Sequence, residues 1–332
     1  MTNFIHQRKR ELILALLIAL LIGLIGVRAP IFLTLKSMDN LVTDMSILLM
    51  LALAQMLVIV TRGIDLSIAS TLALTGMMVA LLNHHHPDIP VLVLLGISIV
   101  LGAALGLING VLIGVFRLPP IVVTLGTMSV YRGLTFVFSG GAWVSSNDLS
   151  KSFIEFPLSR FGGVTALVWL ALLSLIVAAW VVKYTRFGRE LFAIGNHPSA
   201  ARLVGIRIPA RLIGVYTLSG MMAGLCGYLW VARYAVAFTE IAYGFELNVI
   251  AACVIGGVSI AGGAGTVVGV VLGSLFLGVI NNALPIIQVS PFWQSAITGT
   301  VILVAVLVNA RGDKRGGKQI LPLHFRSASA KG

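Results

Sequence analysis

An all-α membrane protein of about ten transmembrane helices is what this sequence predicts, on three observations. Hydrophobic residues make up 58% of the 332 residues and charged ones only 10%, whereas a soluble domain is about one quarter charged. Mean hydropathy is +1.03. Apolar runs of about 20 residues, enough to cross a bilayer, recur along the whole chain. A membrane β-barrel would instead show ~10-residue alternating segments with one polar face; both faces of these runs are apolar, so they read as helices.

The spans follow in order. The first, 11–28, comes after Arg8-Lys9-Arg10 and resembles a signal peptide, but no small-residue cleavage site follows it and it is read as a retained helix. The others are 44–61, 65–83, 90–116, 119–139, 163–183, 212–232, 246–261, 264–284 and 292–310. Two junctions admit alternatives: Thr61–Asp65 is a kink or an unwound segment, and GGVSIAGGAGT (256–266) is a tight turn or a broken helix. The chain thus divides into a short N-terminus (1–10), a membrane domain (11–310) containing a polar loop at 184–211, and a basic tail (311–332).

Charge sets the expected orientation. With the N-terminus inside, the cytoplasmic segments carry 17 of the 23 Lys/Arg and 4 of the 11 Asp/Glu, leaving 6 and 7 outside. The opposite orientation violates the positive-inside rule, so both termini are expected in the cytoplasm. The net charge of +12 then reflects topology and anionic lipid, with the tail from Arg311 as the lipid contact, rather than nucleic acid. Cys226 and Cys253 both lie in apolar runs and suggest neither disulfide nor metal.

Two glycine ladders repeat every four residues: Gly102, Gly106, Gly110, Gly114 and Gly265, Gly269, Gly273. That spacing places each set on one helix face and lets a second helix approach closely, for static packing in preference to a sliding surface. GDKRGGKQ (312–319) has the spacing of a phosphate-binding loop, but Gln319 replaces the magnesium-binding Ser/Thr and no strand precedes it. His84-His85-His86 reads as a surface loop, since adjacent histidines diverge and no second cluster faces them. No hydrolytic constellation occurs in the spans.

Few ionisable groups accompany the spans, and Arg62, Asp65, Arg132, Arg233 and Glu246 all fall at expected helix ends. An ion-driven carrier keeps acids near mid-membrane, so energy for transport is expected from elsewhere. In TRGIDLS (61–67), Asp65 is placed to cap the next helix, and Arg62 to pair with an acid or a lipid headgroup.

The loop TRFGRELFAIGNHPSAARLVGI (185–206) carries more pattern than a spacer needs. It reads as a short helix from Arg186 to Ile194, a break at Gly195-Asn196, and a second helix from Ser199 to Val204 begun by Pro198 and ended by Gly205. Ala200, Ala201, Leu203 and Val204 form an apolar patch beside Arg202, suited to the groove of another protein.

TRGIDLS, PPIVVTLGTMSVYRG (119–133), GRELFAIGNHPSAARLVGI (188–206) and FELNVIAACVIGGVSIAGGAGTVVG (245–269) together resemble the permease subunits of bacterial sugar ABC importers, of the ribose, xylose, rhamnose and autoinducer-2 type. The resemblance covers roughly residues 10 to 310. It implies a type II importer-like bundle with an inverted relation between spans two to five and seven to ten. It also implies a location in the inner membrane and three partners: a second permease subunit, an ATPase subunit that holds ATP and magnesium, and a periplasmic sugar-binding protein. The chain itself needs no cofactor and is no enzyme.

By position, Gly188, Arg189, Gly195, Asn196, Ala200, Ala201 and Gly205 match the loop that couples such permeases to their ATPase. The family's G-G-I-D-L-S-V-G is here T-R-G-I-D-L-S-I-A, departing at Arg62 and Ala69. SGGAWV (139–144), GYLWVARYAVAF (227–238) and NNALPIIQVSPFWQ (281–294) look most like rhamnose permeases, then autoinducer-2 permeases. Arg62, Asp65, Trp230, Tyr234 and Trp293 are the pathway or gating candidates; Tyr228 and Phe292 join the aromatic set, for which interfacial anchoring is preferred over stacking on a sugar. The competing readings are an ion-coupled carrier, a branched-chain amino acid permease, and a scaffold without flux.

Overall fold

A computed structural model describes residues 2–290, 293–294, 296–300 and 303–304, with side chains described from Arg10 onward. Its helices are α1 (Thr2–Arg28), α2 (Leu35–Val60), α3 (Ile68–His85), α4 (Val91–Gly114), α5 (Pro120–Ser139), α6 (Lys151–Glu155), α7 (Ala166–Tyr184), α8 (Arg186–Asn196), α9 (Pro198–Leu203), α10 (Ile208–Tyr234), α11 (Phe245–Ile255) and α12 (Val267–Ile286). Among the described residues, seven helices are long and apolar enough to cross a membrane: α1, α2, α4, α5, α7, α10 and α12. The only sheet described is a two-stranded hairpin, β1 (Arg160–Phe161) and β2 (Val164–Thr165).

Differences from the expected spans have physical causes. α2 starts nine residues earlier than expected, at Leu35, because Thr34 caps it by accepting the Ser37 N–H. Asp44 therefore lies inside the helix. α10 likewise starts at Ile208, with Pro209 in its first turn. α11 has 11 residues and ends at Ile255, about 16 Å of rise and half a bilayer. The glycine-rich stretch after it is not helical, with Gly257, Gly262 and Gly263 at positive φ. Most of the expected span 292–310, and the phosphate-loop lookalike at 312–319, lie outside the described residues.

The core is built on α2 and α3, which are buried along most of their lengths. The α4 ladder meets α10 without intervening side chains: a methyl group at Gly102 or Gly106 would overlap a carbonyl of Gly220 or Tyr216. Ser98 Oγ donates to Gly224 O at 2.6 Å across the same seam. In lipid, where apolar helices gain nothing by leaving water, such backbone-to-backbone dispersion and hydrogen bonding replace the hydrophobic effect as glue. Gly269 and Gly273 on α12 make the equivalent approach to Gly256 and Ala252.

Candidate functional site

Two polar regions occupy opposite ends of the bundle, joined by α2 and α10. One end is an interlock of the turn after α2, the C-terminal end of α8 and the loop after α11. After Val60 the chain turns through Arg62, which adopts φ 68°, a left-handed conformation that costs a side-chain-bearing residue energy. That turn aims its guanidinium at the end of α8: Nε donates to Gly195 O at 2.6 Å and Nη2 to Asn196 O at 3.0 Å. These are carbonyls at a helix C-terminus, where a cation is favoured. Arg62 therefore pairs with backbone, correcting its expected acidic or lipid partner. Gly263 N donates to Val60 O at 2.9 Å, bringing in the loop after α11. Gly195 lies so close to the Val60 carbonyl that a Cβ there has no room.

Behind Arg62, Asp65 is buried and fully engaged. Its Oδ1 accepts from Ser67 N (3.0 Å) and Ser67 Oγ (2.7 Å), and its Oδ2 from Ser219 Oγ on α10 (2.9 Å). The network continues from Ser67 Oγ to Asn109 on α4 (2.8 Å), and from Asn109 Oδ1 to Thr127 on α5 (2.8 Å). Thr124 Oγ1 also donates to Ile64 O at 3.0 Å. Asp65 accepts the N–H of Ser67, the residue before α3 begins, and no side chain caps that helix, which corrects the expected capping role; its ties through Ser67 and Ser219 to three other helices were not legible.

The polar loop forms the two short helices expected of it, but their break falls at His197, one residue beyond Gly195-Asn196. Thr185 caps α8 by accepting the Gly188 N–H at 3.0 Å. Pro198 starts α9, and Gly205, at φ +81°, follows it. Glu190 on α8 is gripped by Arg186 (2.7 Å) and by Arg211 of α10. The Arg211 hydrogen bond, with help from Arg186, holds its carboxyl below the usual carboxylate range.

Of the seven residues matched to the coupling loop, Gly188, Gly195 and Ala201 are buried. Arg189, Asn196, Ala200 and Gly205 are exposed, beside Leu203 at 88% and Val204 at 76% exposure. The expected apolar patch is therefore present without Ala201.

At the other end, the start of α2, the end of α10, the start of α11 and the end of α12 line a half-open cavity of about 500 Å³. Trp230 and Tyr234 are in its wall, ring centroids 5.2 Å apart, with Phe245 edge-on to Trp230 at 4.9 Å. Asp44 and Arg233 form an ion pair at 3.0 Å in the same wall, alongside Asn281 and Asn282. Trp230 and Tyr234 thus line a cavity. Trp293 is 68% exposed and does not line the cavity. Phe292 lies outside the described residues, and Tyr228 is core, donating to Phe153 O at 2.9 Å.

Arg132 is not at a helix end either; it sits two turns inside α5 and donates to Ile241 O and Ala242 O at 2.6 and 3.0 Å. His84 and His85 belong to the last turn of α3 rather than to a loop, with His84 facing Asp148. Sequence reasoning missed Asp44, Asn281 and Asn282. For the asparagines the available signal was polarity, an Asn pair in an apolar run; Asp44 gave none, because the expected span began on it.

Comparison with known proteins adds four findings. Residues 37–306 match the family described as branched-chain amino acid transport system / permease component. The chain is 36% identical over 303 residues to the ribose import permease protein of Escherichia coli (strain K12), covering 91% of this chain and 93% of that one. It is 32% identical over 311 residues to the autoinducer 2 import system permease proteins of Escherichia coli O9:H4 (strain HS) and Salmonella typhi, covering 94% of this chain and 90% and 88% of theirs. No solved structure matches it.

Proposed function

The chain belongs to the permease family of the branched-chain amino acid transport system type, a transport component and not an enzyme, and on that premise we propose that it forms the membrane passage of an ATP-driven sugar importer. Its relatives import ribose and autoinducer 2; the motif likeness at 139–144, 227–238 and 281–294 favours rhamnose as the solute here. A separate ATPase subunit supplies ATP and magnesium chemistry, a periplasmic binding protein delivers the sugar, and a second permease subunit completes the passage. This chain needs no cofactor. It resides in the bacterial inner membrane with both termini cytoplasmic, an orientation favoured by the charge distribution. Thr266 Oγ1 donates to Glu11 Oε1 at 2.6 Å, which puts the start of α1 at the same end as the α8–α9 segment.

The observation that carries this reading is the interlock around Arg62. A docking segment must do more than stick to a partner; its displacement has to reach the passage. Exposed Leu203 and Val204 provide the contact surface, and the two Arg62 hydrogen bonds tie α8 to the turn between α2 and α3. From there Asp65 and Ser67 reach α4 and α10 directly. Closure of the ATPase domains moves α8 and α9, and the bundle follows as a rigid-body rearrangement because each nucleotide state stabilises a different arrangement.

The test is uptake of labelled rhamnose by proteoliposomes holding this chain, its ATPase and its binding protein. ATP-dependent uptake is expected. Uptake without ATP on an ion gradient, or ATP-dependent uptake of leucine and of no sugar, overturns the proposal.

A further inference from the structure

We propose that the cavity between α2, α10, α11 and α12 is a transit site for a neutral sugar ring, stacked on Trp230 and read by Asp44, Arg233, Asn281 and Asn282. The inference rests on the importer reading above and goes beyond it by assigning a solute site within this chain. At about 500 Å³ the cavity falls in the range of small-molecule sites, roughly 300–1,000 Å³.

Its chemistry is two-sided. A pyranose or furanose presents an apolar face of C–H bonds and an edge of hydroxyls that both donate and accept. Trp230, braced by Tyr234 and Phe245, offers a rigid aromatic surface of the kind that packs on such a face. The other wall offers the matching polar set. Asp44 is an acceptor, Arg233 a donor, and each Asn amide is both.

Charge decides against other solutes. Asp44 and Arg233 neutralise each other at 3.0 Å, so the wall presents strong dipoles and no net charge. An anion or a cation gains little there. A zwitterionic amino acid would have to separate the pair to satisfy its two poles. A sugar leaves the pair intact: Arg233 engages Asp44 Oδ1 through both Nε and Nη2, and the hydroxyls bond around it. Location fits as well. The cavity lies at the end of α2 and α10 remote from the docking segment, where solute would enter a passage opened by motion at Arg62.

The experiment uses the assembled transporter in proteoliposomes, with labelled rhamnose and labelled ribose as probes and two readouts: sugar uptake, and ATP hydrolysis stimulated by loaded binding protein. Trp230→Ala is expected to lower uptake about tenfold or more while stimulated hydrolysis stays within about twofold, a factor worth only ~0.4 kcal/mol. Trp230→Phe, which keeps an aromatic face, should retain uptake. Asn281→Ala should change the ratio of rhamnose to ribose transported, because a lost hydroxyl partner falls unequally on two stereochemistries.

Wild-type uptake and preference in both Trp230→Ala and Asn281→Ala would overturn the transit site while leaving the importer reading intact. So would parallel loss of uptake and stimulated hydrolysis in Trp230→Ala with Trp230→Phe equally dead, which marks a structural or docking role. Absence of sugar uptake by the wild-type protein itself would overturn the importer reading and this site with it.

Discussion

At the scale of single residues, Arg62 and Glu190 make predictions of different kinds. Arg62→Ala removes two hydrogen bonds to the end of α8 but leaves the exposed docking surface untouched. We expect ATPase co-purification to persist while uptake falls by about tenfold or more, the equivalent of ~1.4 kcal/mol of lost coupling; unchanged uptake would show that the tie transmits nothing. Glu190 makes a pH prediction. Because its folded-state pKa is lowered by Arg211 first and Arg186 second, the stability it contributes is present above the unfolded-state value near ~4.3. It is lost as pH falls through the lowered folded value. A thermal-melt series from neutral to acid should therefore show a decline in the wild type that is shallower in Glu190→Gln, and identical acid limbs would refute the assignment. Sequence pattern located Arg62 as an oddity in a glycine-rich motif, yet it could not supply the partner. Carbonyls 133 and 134 positions away leave no periodic trace, and only a turn at φ 68° brings them within reach.

Helices and their contacts form the next scale, and here the sequence was most legible. Four-residue glycine spacing encoded the most extensive helix contact among the described residues, α4 against α10, because i and i+4 positions share a helix face. Seven of the ten expected spans were equally legible from the length of apolar runs, as α1, α2, α4, α5, α7, α10 and α12 among the described residues. Span ends were not: α2 and α10 begin at a Thr cap and beside a proline, outside the apolar windows, and that error concealed Asp44. α11 failed for a different reason. Its apolar run continues past Ile255 through Val258 and Ile260, but positive-φ glycines turn the backbone instead, and irregular backbone survives at membrane depth only when packed inside protein. The seam predicts a sharp contrast between two glycines. Gly102→Leu forces a side chain into the Gly220 carbonyl and the Gly224 backbone, so membrane accumulation and melting temperature should fall steeply, by more than the about 1–3 kcal/mol of an ordinary overpacked core. Gly133→Ala has nothing within 4 Å of its new methyl and should melt with the wild type. Equal behaviour of the two would mean that α4 and α10 are not in backbone contact.

For the whole molecule, the decisive feature is the separation of the two polar regions along shared rods. α2 carries Asp44 in its cavity-side half and Val60 at the interlock end, and α10, running the other way, carries Arg233 at the cavity and Arg211 beside α8. Twenty-six residues of α2 span about 39 Å, the thickness of a bilayer with much of its headgroup region. On the proposed importer reading the α8–α9 segment and the cavity would face opposite sides of the membrane, with α8–α9 on the cytoplasmic side that the charge distribution favours. Cys226 and Cys253 are both buried, so single exposed cysteines can be introduced on the natural background. Arg202→Cys reports on the docking segment, and Trp143→Cys, 67% exposed in the loop after α5, reports on the cavity end. In intact cells a membrane-impermeant maleimide should label Trp143→Cys and spare Arg202→Cys, and inverted vesicles should reverse the pattern. Addition of the ATPase subunit to those vesicles should then protect Arg202→Cys, because Leu203 and Val204 beside it would be covered. Labelling of Arg202→Cys from outside intact cells would reverse the orientation, and undiminished labelling under a bound ATPase would place the docking surface elsewhere on the molecule.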